Sequence, residues 1–192
     1  MKISLHQLLF NIQYLGNPPW DTNQSPPELL EFIQNHPAGR ALDIGCGTGM
    51  NCFTLAKAGW QTTGVDFAWR AIRLAEERFR KNDLMGKFIK ADITCLNELF
   101  TEFDLVLDIG CYHSLPATSR QAYRSLVPTL LLQGGDFLLY GHQLSVKKDN
   151  RVRLAELDIH QFQETLFLIK RKDCEDRWGR KTVWLWFKKP VK

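Results

Sequence analysis

No stretch of the 192 residues approaches the roughly 18 uninterrupted apolar positions that a membrane-spanning helix needs. The best candidate, Leu126 to Leu132, contains Pro128 and runs into Gln133-Gly134-Gly135. Nor does the start read as a secretory leader. Met1-Lys2-Ile3-Ser4 leads into a short run broken by His6, Gln7, Asn11 and Gln13, so the cytoplasm is the expected compartment. Cysteine is sparse and unpaired in pattern: Cys46, Cys52, Cys95, Cys111 and Cys174 make an odd count with no Cys-x-x-Cys. That excludes a disulfide framework and a zinc-binding pattern, and the cysteines read as free thiols with no metal expected. Internal repeats and low-complexity tracts are absent too.

What is present is ordinary for a packed domain. The 44% hydrophobic and 24% charged fractions lie far from the disordered and membrane classes. A single domain over 1–192 is expected, with no room for a second, substrate-binding one. The net charge of +4 is unevenly spread: residues 1–146 carry −2 and residues 147–192 carry +6. The basic excess would suit an anionic partner or RNA. A solvated face is the plainer reading, and nucleic acid is not an expected partner.

From Arg40 onward apolar runs alternate with helical patterns, which marks a parallel sheet covered by helices. Strands are predicted at Arg40 to Ile44, Gln61 to Asp66, Lys87 to Ala91, Phe103 to Asp108 and Asp136 to Tyr140. Helices are predicted at Met50 to Lys57, closed by Gly59, at Arg70 to Asn82, and at Ser119 to Leu132, where Pro128 would bend the chain. In the second of these, Ile72, Ala75 and Phe79 form one apolar stripe. A short helix at Leu154 to Phe162 precedes an antiparallel hairpin of Thr165 to Lys172 and Lys181 to Lys188. The first 38 residues read as a helical cap, with a helix at Leu5 to Tyr14 and another at Glu28 to Gln34. Ser25 would cap the latter, ahead of Pro26.

Chemistry concentrates where the first strand meets its helix. Ala41-Leu42-Asp43-Ile44-Gly45-Cys46-Gly47-Thr48-Gly49 runs an apolar strand into three alternate glycines. Such a turn brings backbone N–H groups to a ligand at the positive end of a helix. Asp66, ending the next strand, is placed to accept hydrogen bonds from both hydroxyls of a ribose. Together they predict a nucleoside cofactor. The dinucleotide fingerprint G-x-G-x-x-G would put its third glycine at position 50, where Met50 stands, so a nicotinamide dinucleotide is disfavoured.

At these residues the chain resembles the class I S-adenosylmethionine (SAM)-dependent methyltransferases. The resemblance starts at Leu42 to Gly49 and extends through Gly64-Val65-Asp66-Phe67, Ala91-Asp92-Ile93, Phe103 to Asp108 and Leu132 to Asp136. It implies an α/β, three-layer Rossmann-like fold with a mostly parallel seven-stranded sheet and an antiparallel C-terminal strand. It further implies a SAM-binding core over 39–142 between the N-terminal cap, 1–38, and a C-terminal helix and hairpin, 143–192. Carried over by position, Gly45, Cys46, Gly47 and Gly49 would face the methionine part of SAM. Asp66 would hold the ribose, Phe67 would flank the adenine, and Asp92 and Ile93 would meet the adenine amino group and ring. The chain at Asp108 would approach the methionine amine.

Pro18-Pro19-Trp20-Asp21-Thr22, Ser25 to Leu29 and Asp108 to Leu115 are similar to small thiopurine, halide/thiol and tellurite-resistance-type methyltransferases, whose acceptors are soft nucleophiles or small metabolites. That similarity makes Trp20 the candidate for closing the cofactor site. His113, in the loop after the fourth strand, is the candidate base or substrate contact, with Tyr112 beside it; His142 is a weaker candidate. The alternatives stay open. Asp92 would equally serve as a helix cap or surface carboxylate, His113 as a hydrogen-bonded structural histidine, and Trp20 as packing. Cys111 as a covalent nucleophile is not expected, because methyl transfer needs none. The function expected is methyl transfer from SAM to a small molecule, leaving S-adenosylhomocysteine (SAH). An RNA- or protein-modifying methyltransferase and a non-catalytic SAM-binding regulator are the alternatives. Oligomeric state has no sequence signal.

Overall fold

A computed structural model describes residues 10–16, 18–95, 102–144 and 153–191. The proposed first helix from Leu5 is therefore described only from residue 10, where residues 10–13 are helical. Most of the 143–153 loop lies outside the described residues. The seven strands form one mixed sheet. The chain divides into two compact units, residues 1–96 and 97–192, a boundary inside the segment that the sequence reads as one core.

In the first unit, helix α1 (Pro27–Asn35) precedes β1 (Arg40–Ile44), α2 (Met50–Lys57), β2 (Gln61–Asp66), α3 (Trp69–Lys81) and β3 (Lys87–Lys90). β2 pairs parallel with β1 on one side and β3 on the other. Each crossover is a helix with one apolar side: Ala71, Ile72, Ala75 and Phe79 are the buried residues of α3. Phe79 meets Phe88 edge-on at 4.8 Å. Gly59 ends α2 with φ +89°, a left-handed turn that favours glycine. Ser25 does not cap α1. The cap position falls to the extended Pro26, with no side-chain cap bond, and the Ser25 hydroxyl donates instead to Thr54 Oγ1 on α2 at 2.8 Å. The serine stands one residue too early to reach the first-turn amides.

In the second unit, β4 (Phe103–Ile109) leads through a single 3₁₀ turn at Tyr112–Ser114 to α4 (Ala117–Leu130), β5 (Leu131–His142), α5 (Glu156–Gln163), β6 (Phe167–Glu175) and β7 (Lys181–Lys188). β4 and β5 are parallel, and β7 runs antiparallel between β5 and β6. The core holds Tyr112, Tyr123, Phe137, Phe162 and Phe187, all fully buried. β5 starts five residues before the predicted Asp136 and directly follows α4. Gly134-Gly135 reads as a chain break in sequence, but the strand passes through it as an irregularity, because the β4–β5 register jumps between Phe103↔Leu131 and Leu105↔Asp136. A Cβ on Gly135 would come within 3.0 Å of the Leu132 and Phe103 carbonyl oxygens, so glycine here serves close approach of two backbones.

Gly49, the residue before α2, has φ +74°, and a Cβ there would lie 2.8 Å from Ala75 Cβ. Gly49→Ala is expected to cost at least about 1–2 kcal/mol from backbone strain alone, with overpacking against α3 added. A lowered urea midpoint checks this; an unchanged one would overturn both the strain and the packing argument at Gly49.

Candidate functional site

The loop from Gly45 to Gly49 is shaped chiefly by the strand beside it. Gly45 and Cys46 N–H both donate to Val65 O, at 2.8 and 3.0 Å, and Gly49 N–H donates to Cys46 O at 2.9 Å. Gly47 N–H donates to Asp66 Oδ2 at 3.0 Å. Four amides expected to be offered to a ligand are therefore bonded within the loop. What the glycines contribute is left-handed backbone, with φ of +72°, +53° and +74° at Gly45, Gly47 and Gly49, and room for close approach. Cys46 turns its side chain inward to the cluster of Cys52, Ile72 and Phe79, where burial pushes its thiol pKa up. Only its backbone faces the loop's business.

Asp66 closes the turn from the other side. Besides Gly47 it accepts from Ala68 N–H at 2.8 Å, an Asx-type bond that starts the turn into α3. Burial raises its pKa and the two N–H bonds pull it back down. A carboxylate has about four acceptor positions, so two remain for a ligand's hydroxyls. A buried carboxylate with spare acceptor positions beside tight glycines fits a ribose-bearing cofactor.

The chain before α1 lies against this loop. Tyr14 is buried, and its hydroxyl stands 3.3 Å from where a Gly47 Cβ would be; burial and the nearby Asp66 carboxylate push its pKa up. Trp20 donates its indole N–H to that hydroxyl at 3.2 Å, yet remains 46% exposed. Phe10 packs on Trp20 at 5.4 Å and edge-on to Phe67 at 5.5 Å. Asp21 Oδ2 accepts from the Thr48 hydroxyl at 2.8 Å. Trp20, Phe67 and the glycine loop are thus brought near one another through Phe10 and Tyr14, and Tyr14, Asp21 and Thr48, which the sequence reading did not single out, join them. Asp92 accepts from Thr94 N–H at 3.0 Å and Thr94 Oγ1 at 2.7 Å, organising the turn at Ile93–Cys95, and Ile93 is buried.

In the second unit Asp108 is fully buried. It accepts from Cys111 N–H at 2.8 Å, Tyr112 N–H at 2.9 Å and the Tyr123 hydroxyl at 2.5 Å. Desolvation outweighs these bonds and raises its pKa to about 6. Tyr112 is buried too, with its hydroxyl on Asp158 and Arg124, both at 2.6 Å. Arg120 joins Asp158 at 2.8 Å. This ionic cluster, absent from the sequence reading, supports the turn that carries His113. The His113 ring meets His142 edge-on at 5.0 Å, and among the described residues its buried Nδ1 has no hydrogen-bond partner. Burial first, then the His142, Arg153 and Arg120 charges, lower its pKa to about 3. The described residues also hold cavities of about 370 Å³ beside Trp60 and Gly86, and about 400 Å³ beside Gln143 and Arg171. Neither is lined by a predicted site residue.

Residues 41–135 match the family model of a methyltransferase domain. Among curated proteins, the chain is 30% identical over 129 residues to a 2-heptyl-1-hydroxyquinolin-4(1H)-one methyltransferase of Mycobacteroides abscessus, covering 66% of the chain and 57% of that protein. It is 29% identical over 113 residues to the ribosomal RNA small subunit methyltransferase C of Alcanivorax borkumensis, covering 56% and 34%. It is 26% identical over 127 residues to a probable thiol methyltransferase of Arabidopsis thaliana, covering 64% and 56%. The chain thus spans a third to just over half the length of these relatives. Among solved structures, the N-methyltransferase NodS of Bradyrhizobium japonicum in complex with SAH superposes with a TM-score of 0.84 at 20% identity, over 97% of this chain and all of that one. That likeness is one of fold.

His113 makes a testable electrostatic statement. Unfolded, it takes a proton near pH 6.5; folded, only near pH 3. Its contribution to stability is present above pH 6.5 and is lost as the pH falls toward 3. Nitrogen-15 NMR at pH 5 is expected to show a neutral His113 ring, and His113→Gln to reduce the acid sensitivity of the unfolding midpoint. A protonated ring at pH 5 would contradict the burial argument.

Proposed function

Starting from a chain whose residues 41–135 belong to the methyltransferase-domain family, we propose that it transfers the methyl group of SAM to a small-molecule acceptor. The observation that carries this reading is the buried Asp66 carboxylate bonded to Gly47 N–H, which joins the ribose-type acceptor to the glycine loop in one unit. In this proposal Gly45, Cys46, Gly47 and Gly49 accept the methionine end through their backbone, and Asp66 accepts from the ribose hydroxyls. Phe67, Asp92 and Ile93 hold the adenine, and Trp20 closes the site. The hydroxyquinolinone and thiol methyltransferases among the relatives support a small acceptor, and the SAH complex of NodS supports the cofactor.

When bound, SAM supplies a sulfonium-activated methyl that an aligned nucleophile displaces in line. The protein's share is then orientation and exclusion of water. For the second unit we propose that His113 contacts the acceptor as a neutral hydrogen-bonding group. A base works best with a pKa near the working pH, and a ring protonated only near pH 3 is too weak to take a proton from a phenol or amine. That favours acceptors already carrying a free lone pair, such as a thiolate, a halide or another chalcogen. Asp108 and Tyr112 hold the His113 turn. Asp108 would in addition bring its backbone to the methionine amine. An RNA acceptor is the second reading, favoured by the ribosomal RNA methyltransferase relative and the basic residues of 147–192.

Calorimetry with SAM and SAH tests the first half: binding at tens of micromolar or tighter is expected, and its absence sinks the reading. Asp66→Ala should weaken binding by about 1–3 kcal/mol; equal affinity would remove Asp66 from the ribose. Labelled SAM offered with thiols, iodide and hydroxyquinolinones should deliver label to one of them. Label going only to RNA, with affinity falling steeply in salt, would favour the second reading.

A further inference from the structure

One side chain from α3 joins the segment 18–24 to the glycine loop. Arg78 donates through Nε to Thr48 O at 3.0 Å, and through Nη2 to Asn23 Oδ1 at 2.8 Å and Thr48 Oγ1 at 3.3 Å. Its Nη1 meets Met50 Sδ at 3.2 Å. Thr48 in turn donates its hydroxyl to Asp21 Oδ2 at 2.8 Å. Three stretches of chain therefore converge on one guanidinium: the loop residue before Gly49, the start of α2, and the segment that carries Trp20 and Asp21. Only arginine has donors splayed widely enough in a fixed plane to hold all three.

The character of these bonds matters as much as their number. An arginine on a surface helix ordinarily turns to water or to a carboxylate four residues away. Arg78 instead bends toward the loop, and among the described residues its bonds go to amide oxygens, a hydroxyl and a thioether. Bonds from a guanidinium to neutral acceptors are weaker than ion pairs, which suits a contact that must release. On the far side Asn23 sits at φ +51°, a left-handed conformation that asparagine tolerates better than most residues. Trp20, three residues earlier, bonds to the Tyr14 hydroxyl that stands beside Gly47.

We propose that Arg78 is a positioning residue that latches segment 18–24 onto the glycine loop and thereby sets how fast the cofactor enters and leaves. The proposal rests on the reading of this loop as a SAM site. Opening the latch needs no backbone bond of the sheet to break: it releases the Arg78–Asn23, Thr48–Asp21 and Trp20–Tyr14 bonds and swings Trp20 away. Thr48 lies on both arms, so its carbonyl keeps Arg78 on the loop while its hydroxyl lets Asp21 go.

The test compares wild type with Arg78→Ala, Arg78→Lys and Thr48→Val by hydrogen exchange of the described amides and by stopped-flow dissociation of SAH. In Arg78→Ala, exchange at Trp20 to Gln24 should rise at least tenfold while β2 and α3 stay protected, and SAH should leave at least tenfold faster. Arg78→Lys keeps the charge but not the fork, and should resemble Arg78→Ala; full rescue by lysine would overturn the bridging argument. Thr48→Val should loosen Asp21 while leaving Arg78 on the loop, with a smaller effect on both readouts. Unchanged exchange at 20–24, loosening spread evenly through the first unit, or a free segment with an unchanged SAH exit rate would each overturn the latch. Failure of the wild type to bind SAH would instead overturn the cofactor reading, with the exchange result showing separately whether the segment is held.

Discussion

The first unit depends on one buried carboxylate. Asp66 ends β2, and its two oxygens take the N–H of Gly47 across the loop and of Ala68 two residues on. A carboxylate removed from water is costly unless it is hydrogen-bonded, and these two amides are the compensation available to it. The strand end, the glycine turn and the entry to α3 are therefore coupled: the carboxylate needs Gly47 N–H, Gly47 needs its left-handed backbone to present it, and Ala68 fixes where the helix begins. The same group has acceptor capacity left over. The structural requirement and the proposed ribose contact thus fall on one side chain, so replacing it by alanine removes the acceptor of Gly47 and Ala68 N–H as well, and asparagine would put a donor where these amides need acceptors.

The second unit solves a similar problem with more charge. Asp108 and Asp158 are buried within it, and each is surrounded by donors: two backbone amides and Tyr123 for the first, Arg120, Arg124 and Tyr112 for the second. Asp158 has arginines against it, whereas Asp108 has only neutral donors, and burial raises its pKa to about 6. The turn bearing Tyr112 and His113 is held between them, which fixes the backbone of that turn.

Much of the fold was legible because the hydrophobic period changes cleanly from two to 3.6 along the chain. β1, α2, β2 and β7 occupy the predicted residues, and the stripe Ile72, Ala75, Phe79 is buried as read. The failures have specific causes. Gly134-Gly135 looks like a loop, yet within a strand it allows two backbones to approach, a fact that depends on the Phe103 carbonyl, some thirty residues away. Ser25 followed by Pro26 looks like a cap, yet a cap needs one further coincidence of backbone angle, and Thr54 offered a competing partner. At the candidate site, the glycines, Asp66 and Phe67 were legible because each answers a local requirement. Tyr14, Asp21, Thr48 and Arg78 were not: the Asp21–Thr48, Arg78–Thr48 and Arg78–Asn23 bonds span 27, 30 and 55 positions, and the Tyr14–Trp20 bond joins residues outside any shared periodic element, so none leaves a periodic trace.

The glycine loop carries a second physical reading besides the one its sequence suggests. Offering amide N–H groups to a ligand is one use of a glycine-rich turn, but here Gly45, Cys46, Gly47 and Gly49 have already given theirs to Val65, Asp66 and Cys46. Those four amides are therefore not available to a phosphate cradle, a mode that requires several free amides aimed at one anion. The loop can still admit a ligand closely, because no Cβ stands in the way, and it can lend the neighbouring carboxylate. This commitment of four amides is independent of Met50 at the missing third glycine. What the geometry leaves on offer is close surface contact at the glycines and spare acceptor capacity at Asp66, and a nucleoside carrying no phosphate fits that offer.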